Sequence, residues 1–144
     1  MEISELRVAN DADLVRVNNL LKQLVHDSAT YKPVAFARWE EIIGDKKTVV
    51  ITAREDDEII GMGMLFLILK PRGFYASIEE MMVDEAHRGK GIGEAIGRKL
   101  IEVAKERGVE TIELSARPSR VPANKLYQKL GFLPKETNVY RLKL

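Results

Sequence analysis

The 144-residue chain is 45% hydrophobic and 31% charged, the balance of a soluble globular protein of about one domain, read as residues 1–144. Its 23 basic and 22 acidic residues leave a formal net charge of +1, so no bulk field favours nucleic acid or a membrane surface. The chain has no cysteine, which excludes disulfides, thiolate metal sites and a cysteine acyl-enzyme, and fits a cytoplasmic protein.

The elements alternate along the chain. Leu6-Arg7-Val8 predicts a first strand. Asn10 or Asp11 caps a helix that carries Leu14, Val17, Leu21, Leu24 and Val25 on one side. Ser28 to Val34 reads as a polar loop, in which Pro33 opens a second short helix through Trp39 and Ile43. Thr48 to Ala53 reads as a strand and Glu55-Asp56-Asp57 as a hairpin turn. Residues 58–69 form a long strand, Lys70-Pro71-Arg72-Gly73 a second turn, and residues 74–83 the next strand. The longest apolar run, Ile59 to Leu69, contains two glycines and is too short to span a bilayer; no signal peptide is legible. A helix over about 90–107 carries Ile92, Ile96, Leu100 and Val103 on one face and ends at Gly108. Thr111 to Ala116 must run parallel to residues 74–83, because a helical crossover joins them. Val139 to Leu144 reads as a last strand. The fold class is mixed α/β, a central sheet with helices against both faces.

The chemistry concentrates in Ile78 to Gly93, IEEMMVDEAHRGKGIG. An apolar strand leads into Gly89, Gly91 and Gly93, interleaved with Arg88 and Lys90, and then into the helix. Such a turn offers backbone N–H groups without intrahelical partners, together with the positive end of the helix dipole, so it suits a phosphate or pyrophosphate. It is not a P-loop, since Lys90 is followed by Gly91. Nor is it the dinucleotide fingerprint G-x-G-x-x-G, whose last position would fall on Glu94 or Ile96.

Arg88-Gly89-Lys90-Gly91-Ile92-Gly93 instead resembles the acetyl-CoA pyrophosphate loop of the GCN5-related N-acetyltransferases, Q/R-x-x-G-x-G/A. Downstream, Ala123-Asn124-Lys125-Leu126-Tyr127-Gln128-Lys129-Leu130-Gly131-Phe132 is similar to that family's second signature, A-x-x-L-Y-x-x-L-G-F. The resemblance implies a mostly antiparallel sheet in which one parallel strand pair splays after a bulge. Pantetheine would lie along the backbone of Met81, Met82 and Val83, and the pyrophosphate against Arg88, Gly89, Lys90, Gly91, Ile92 and Gly93. It implies acetyl-CoA as cosubstrate, an amine acceptor, no metal, and a homodimer by analogy.

Acetyl transfer to an amine needs a group that takes the amine proton and one that serves the departing thiolate. The resemblance assigns the second role to Tyr127. Adjacent carboxylates at Glu79 and Glu80 are candidates for the base. Simple alternation puts Ser77, Glu79 and Met81 on one face and Ile78, Glu80 and Met82 on the other. The family base lies on the Glu79 face; a bulge near residue 81 would scramble this and leave Glu80 open.

Many relatives carry Asn where this chain has Arg120; Asn124 is the available substitute, and Arg120 either reaches a CoA phosphate or is solvated. Relatives that acetylate protein N-termini often have a glutamate at the position of Ser115, although Glu113 shares its face. Tyr31, Phe36 and Trp39 fall where this fold builds its acceptor site, with a core position the default for Phe36 and Trp39. His26 and His87 show no metal-ligand spacing, and His87 reads as a surface loop residue. The leading expectation is direct acetyl transfer to a small primary amine. The alternatives are a protein N-terminus or lysine as acceptor, or a non-catalytic acyl-CoA-binding module.

Overall fold

A computed structural model describes residues 1–25 and 27–144; the reading of His26 lies outside them. The order is β1 (Glu2–Glu5), α1 (Asp11–Leu24), α2 (Phe36–Gly44), β2 (Thr48–Glu55), β3 (Glu58–Lys70), β4 (Gly73–Val83), α3 (Ile92–Glu106), β5 (Thr111–Glu113) and α4 (Val121–Lys129). The strands lie side by side in chain order. All neighbours are antiparallel except β4 and β5, which run parallel across the α3 crossover.

Local chemistry sets these elements. The Asn10 side chain accepts from the Asp13 N–H at 2.8 Å and caps α1. Asp56 and Asp57 both take positive φ, 49° and 65°, and form the two-residue hairpin between β2 and β3 that the strand twist favours. Gly108, at φ 82°, closes α3. Apolar residues pack on both faces of the sheet. Ile92, Ile96, Leu100 and Val103 of α3 cover Val49, Ile51 and Leu65 on one side. Leu14, Val17 and Leu20 of α1, with Trp39 of α2, cover Val50, Met62 and Met64 on the other. Asp13, buried at the start of α1, accepts two hydrogen bonds from the Arg54 guanidinium, at 2.6 and 2.8 Å, and ties that helix to β2.

Four expectations are corrected. The first strand is Glu2–Glu5 rather than Leu6-Arg7-Val8, because Ile3 pairs with Ala53 while Val8 is left exposed beyond the ladder. Helix α2 starts at Phe36, three residues after Pro33, with Trp39 N–H donating to the Ala35 carbonyl as its first bond. Strand β5 stops at Glu113, because its partner β4 is matched only as far as Ser77. Val139 to Leu144 forms no strand. Its apolar residues, Val139, Tyr140, Leu142 and Leu144, are exposed, and alternation without a neighbouring strand supplies no ladder.

A bulge in β4 sets the faces of its second half. Met62 pairs with Met82 and Met64 with Glu79, so Gly63 alone faces both Glu80 and Met81. Glu80 takes the extra position at φ 54°, a conformation that costs a non-glycine residue about 1–2 kcal/mol. Past the bulge the faces exchange. Met81 packs on the α3 side with Ile78, and Met82 joins the α1 side with Met64, contrary to simple alternation. Gly63 has no room for a side chain: a Cβ would sit 2.8 Å from Leu100 Cδ1, 2.9 Å from Met81 Sδ and 3.0 Å from Ile96 Cγ2. Gly63→Ala is therefore expected to destabilise the fold by about 1–3 kcal/mol, read as a lower urea midpoint. An unchanged midpoint would contradict this packing.

Candidate active site

Strands β4 and β5 separate soon after they meet. Tyr75, Ala76 and Ser77 pair with Thr111, Ile112 and Glu113, and the ladder then ends. From Ile78 to Val83, β4 is held by β3 on one edge, while no strand among the described residues pairs with the other. Alternate backbone donors and acceptors along that edge are open to an extended ligand.

The glycine turn lies at the end of this opening. Gly89 and Gly91 have φ 77° and 79°, and a Cβ built on either would meet nothing within 4 Å, so the turn faces open space. Helix α3 begins directly after Gly91, whose carbonyl accepts from the Ala95 N–H at 3.0 Å. The earlier N–H groups of the first turn, those of Ile92, Gly93 and Glu94, lack intrahelical partners. The Ile92 side chain is buried in the core, so this residue offers only its backbone. Arg88 Nε donates to the Val83 carbonyl at 3.0 Å, and Lys90 is exposed beside it. Gly93 lets α4 approach, since a Cβ there would lie 3.3 Å from Leu126 Cδ2. Free donors, a helix N-terminus and two cations suit a pyrophosphate, and the open β4 edge suits an amide-bearing arm.

Helix α1 is tied to this turn. Gln23 Nε2 donates to Asp84 at 2.9 Å, and the Glu85 N–H donates to Gln23 Oε1 at 3.0 Å. Gln23 first, then His87 and Arg16, hold the Asp84 carboxyl below its ordinary range. His87 lies 3.0 Å from Asp84 and 3.5 Å from Glu55, so it is a half-buried tether rather than a bare loop residue.

A cleft of about 710 Å³ opens at the bulge, lined by Glu79, Glu80, Met81, Ser115 and Tyr127. Glu80 is half-buried; burial first, and then the charge of Glu79, push its carboxyl above the usual carboxylate range. Glu79 is exposed and accepts from Ser77 Oγ at 2.9 Å. The Tyr127 ring is 9% exposed and packs edge-on against Phe132, with centroids 6.2 Å apart. Burial raises its phenol pKa, Arg120 draws it down and Glu79 pushes it up. Its hydroxyl makes no hydrogen bond among the described residues, leaving it free to meet a ligand. Tyr31 donates to Asn18 Oδ1 at 2.5 Å, and burial raises its phenol pKa against the opposing hydrogen bond with the Val34 backbone.

A second cleft, of about 330 Å³, brings together Met81, Met82, Val83 and Arg88 of the expected cofactor path with Arg120, Pro122 and Ala123. Arg120 lines both clefts and bridges the two. Asn124 is not among the residues lining either. Its Nδ2 donates to the carbonyls of Arg117 and Arg120, both at 2.9 Å, and so shapes the loop between β5 and α4. Trp39 is a core residue, 2% exposed. Arg117 and Arg141 also line the larger cleft, and sequence reasoning gives them no role. One sits in an irregular loop and the other in a segment that reads as a strand, so no periodicity marks them.

The architecture and the two signatures meet in a single match: residues 16–132 fit the model of the acetyltransferase (GNAT) family. The chain belongs to the GNAT family. It is 31% identical over 99 residues to a probable glucosamine 6-phosphate N-acetyltransferase of Oryza sativa subsp. japonica, covering 65% of this chain and 58% of that protein. It is 30% identical over 96 residues to an N-acetylaspartate synthetase of Xenopus tropicalis, covering 65% of this chain and 30% of that one. The chain thus spans less than two thirds of the length of either relative. Among solved structures, that of a transcriptional regulator from Bacillus halodurans C-125 superposes at TM-score 0.85 with 28% identity over 99% of both chains. This confirms the mixed α/β GNAT fold with its parallel β4–β5 pair. Among the described residues no group of three His, Cys, Asp or Glu side chains could hold a metal, and no helix is long and apolar enough to cross a membrane.

Proposed function

We propose that this GNAT protein is an acetyl-CoA-dependent N-acetyltransferase that moves the acetyl group directly to the primary amine of a small molecule, with residues 1–144 working as one catalytic domain. The observation that carries this reading is that the bulge at Glu80, which shares a cleft with Tyr127, the unpaired β4 edge and the glycine turn at α3 follow one another along the chain. The names of the relatives support amine acetylation as the reaction class.

Acetyl-CoA supplies the thioester. The N–H groups of Ile92, Gly93 and Glu94, with Arg88 and Lys90, would hold its pyrophosphate, and the backbone of Met81 to Val83 its pantetheine arm. Glu80 takes the proton from the acceptor ammonium, freeing the nitrogen lone pair. As the nitrogen–carbon bond forms and the carbon–sulfur bond breaks, the Tyr127 hydroxyl gives its proton to the departing sulfur; the second proton that the nitrogen sheds on becoming an amide restores the Tyr127 phenol through solvent, and Glu80 releases its own proton to water. Simple alternation puts Glu79 on the face where the family resemblance implies a base, with Glu80 left open by a bulge. Partial burial, the raised carboxyl pKa and the bulge favour Glu80, with Glu79 setting the local charge. Asn124 holds the loop that carries Arg117 and Arg120.

Glu80 acts only when ionised, so kcat/KM rises with pH through a value above the usual carboxylate range. Glu80→Gln is expected to lower kcat/KM by about 10²–10⁴-fold and erase that limb. The check is thiol release and amide product, by mass spectrometry, from pH 4 to 9. A variant that keeps the acidic limb would remove Glu80 from the role.

We also infer a cytoplasmic homodimer. The exposed Val139, Tyr140, Leu142 and Leu144, beside the short terminal strand β5, support a self-association surface. A monomeric sedimentation mass at micromolar concentration would contradict it.

A further inference from the structure

The larger cleft is charged in a way that acetyl transfer alone does not require. Besides Glu79 and Glu80 it is lined by the three arginines Arg117, Arg120 and Arg141, none of which has an acidic partner among the described residues. Most guanidiniums elsewhere in the described chain have an acidic partner, Arg72 and Arg88 being exceptions. Arg54 is paired with Asp13, Arg107 with Glu5 and Arg98 with Glu94. Arg120 is also shared with the cofactor cleft, and in the larger one it lowers the pKa of the Tyr127 phenol. Arg117 and Arg141 line the larger cleft and not the smaller one, at the bulge end, away from the glycine turn. A planar guanidinium fork is matched to carboxylate and phosphate, whereas a second positive charge on the substrate would be repelled.

We propose that the acceptor is a primary amine that also carries a carboxylate or phosphate, with Arg117 and Arg141 holding the anion while Glu80 receives the amine. This rests on the acetyltransferase reading and narrows its substrate class. Two carboxylates and three guanidiniums lining one cleft offer each end of a dipolar substrate a group of opposite charge. A neutral amine would use only the carboxylates, and a polyamine would meet the arginines unfavourably. Asn124 gains a reason in the same scheme, since its two hydrogen bonds to the carbonyls of Arg117 and Arg120 fix the loop from which these side chains project.

The test uses four probes in thiol-release kinetics at fixed saturating acetyl-CoA: L-aspartate against its neutral diamide, and glucosamine 6-phosphate against glucosamine. At least one anionic probe is expected to exceed its neutral counterpart by about 100-fold or more in kcat/KM, and the winning pair tells carboxylate from phosphate. The double variant Arg117→Gln/Arg141→Gln should raise KM for the preferred anionic probe at least about tenfold more than for its neutral counterpart, with the acetyl-CoA Kd unchanged. Arg117→Lys/Arg141→Lys should recover part of that loss, since it restores charge without the fork. Arg72→Gln, in the β3–β4 turn and outside the residues lining either cleft, should match wild type on all four probes. Neutral probes equal to or better than their anionic partners, or KM rising alike for both, would overturn the proposal while leaving acetyl transfer intact. Absence of acetyl-CoA binding by the folded wild type would instead overturn the acetyltransferase reading and this proposal with it.

Discussion

Tyr127→Phe should lower kcat by about 10²–10⁴-fold while leaving the acetyl-CoA Kd within a few-fold of wild type. The hydroxyl is the only atom removed, and it makes no hydrogen bond within the described chain, so no buried partner is orphaned. The ring contact with Phe132 is kept, and urea midpoints of the two proteins should agree closely. Burial raises the phenol pKa, so the group remains protonated at neutral pH and stays available as a donor. Arg120 opposes this shift, favouring the phenolate that appears transiently as the proton moves to sulfur. Rapid-mix measurement of thiol release, with amide formation followed by mass spectrometry, separates the chemical step from binding. A variant with wild-type kcat would leave Tyr127 as a packing residue.

Gly91→Glu should weaken acetyl-CoA by about 100-fold or more, a loss of about 2.7 kcal/mol in binding. Two effects combine. Gly91 sits at φ 79° directly before α3, where a side chain costs about 1–2 kcal/mol of backbone strain. The space around its Cβ position is open, so the carboxylate would project into the region proposed for the pyrophosphate and oppose it electrostatically. Gly91→Ala isolates the first effect and should retain most of the binding. Equal losses in the two variants would mean that loop shape, not charge, governs the site.

The sequence foretells some parts of this molecule better than others, for physical reasons. Helix α3 is legible because Ile92, Ile96, Leu100 and Val103 repeat on one face, and the role of its glycine-rich start only because the second signature at Ala123 to Phe132 accompanies it. The parallel β4–β5 pair comes from the crossover rule alone. The faces of Glu79 to Met82 are not legible. Alternation holds only while the ladder is regular, and the extra residue at Glu80 answers to Gly63 on the neighbouring strand, far away in sequence. The first strand slips from Leu6-Arg7-Val8 to Glu2–Glu5 because register is set by β2, not by local hydrophobicity. The C-terminal segment looks like a strand in isolation, yet pairing is a tertiary property. Arg117 and Arg141 are invisible as a pair because only folding brings a loop and the end of the chain to one cleft.

Calorimetric titration of the folded protein with acetyl-CoA is the decisive measurement. The expected result is binding of one acetyl-CoA per chain in the micromolar range, and thiol release once a primary amine is added. A correctly folded protein that takes up no acetyl-CoA even at millimolar concentration would contradict the cofactor site, leaving the glycine turn and the open β4 edge as features of the fold alone.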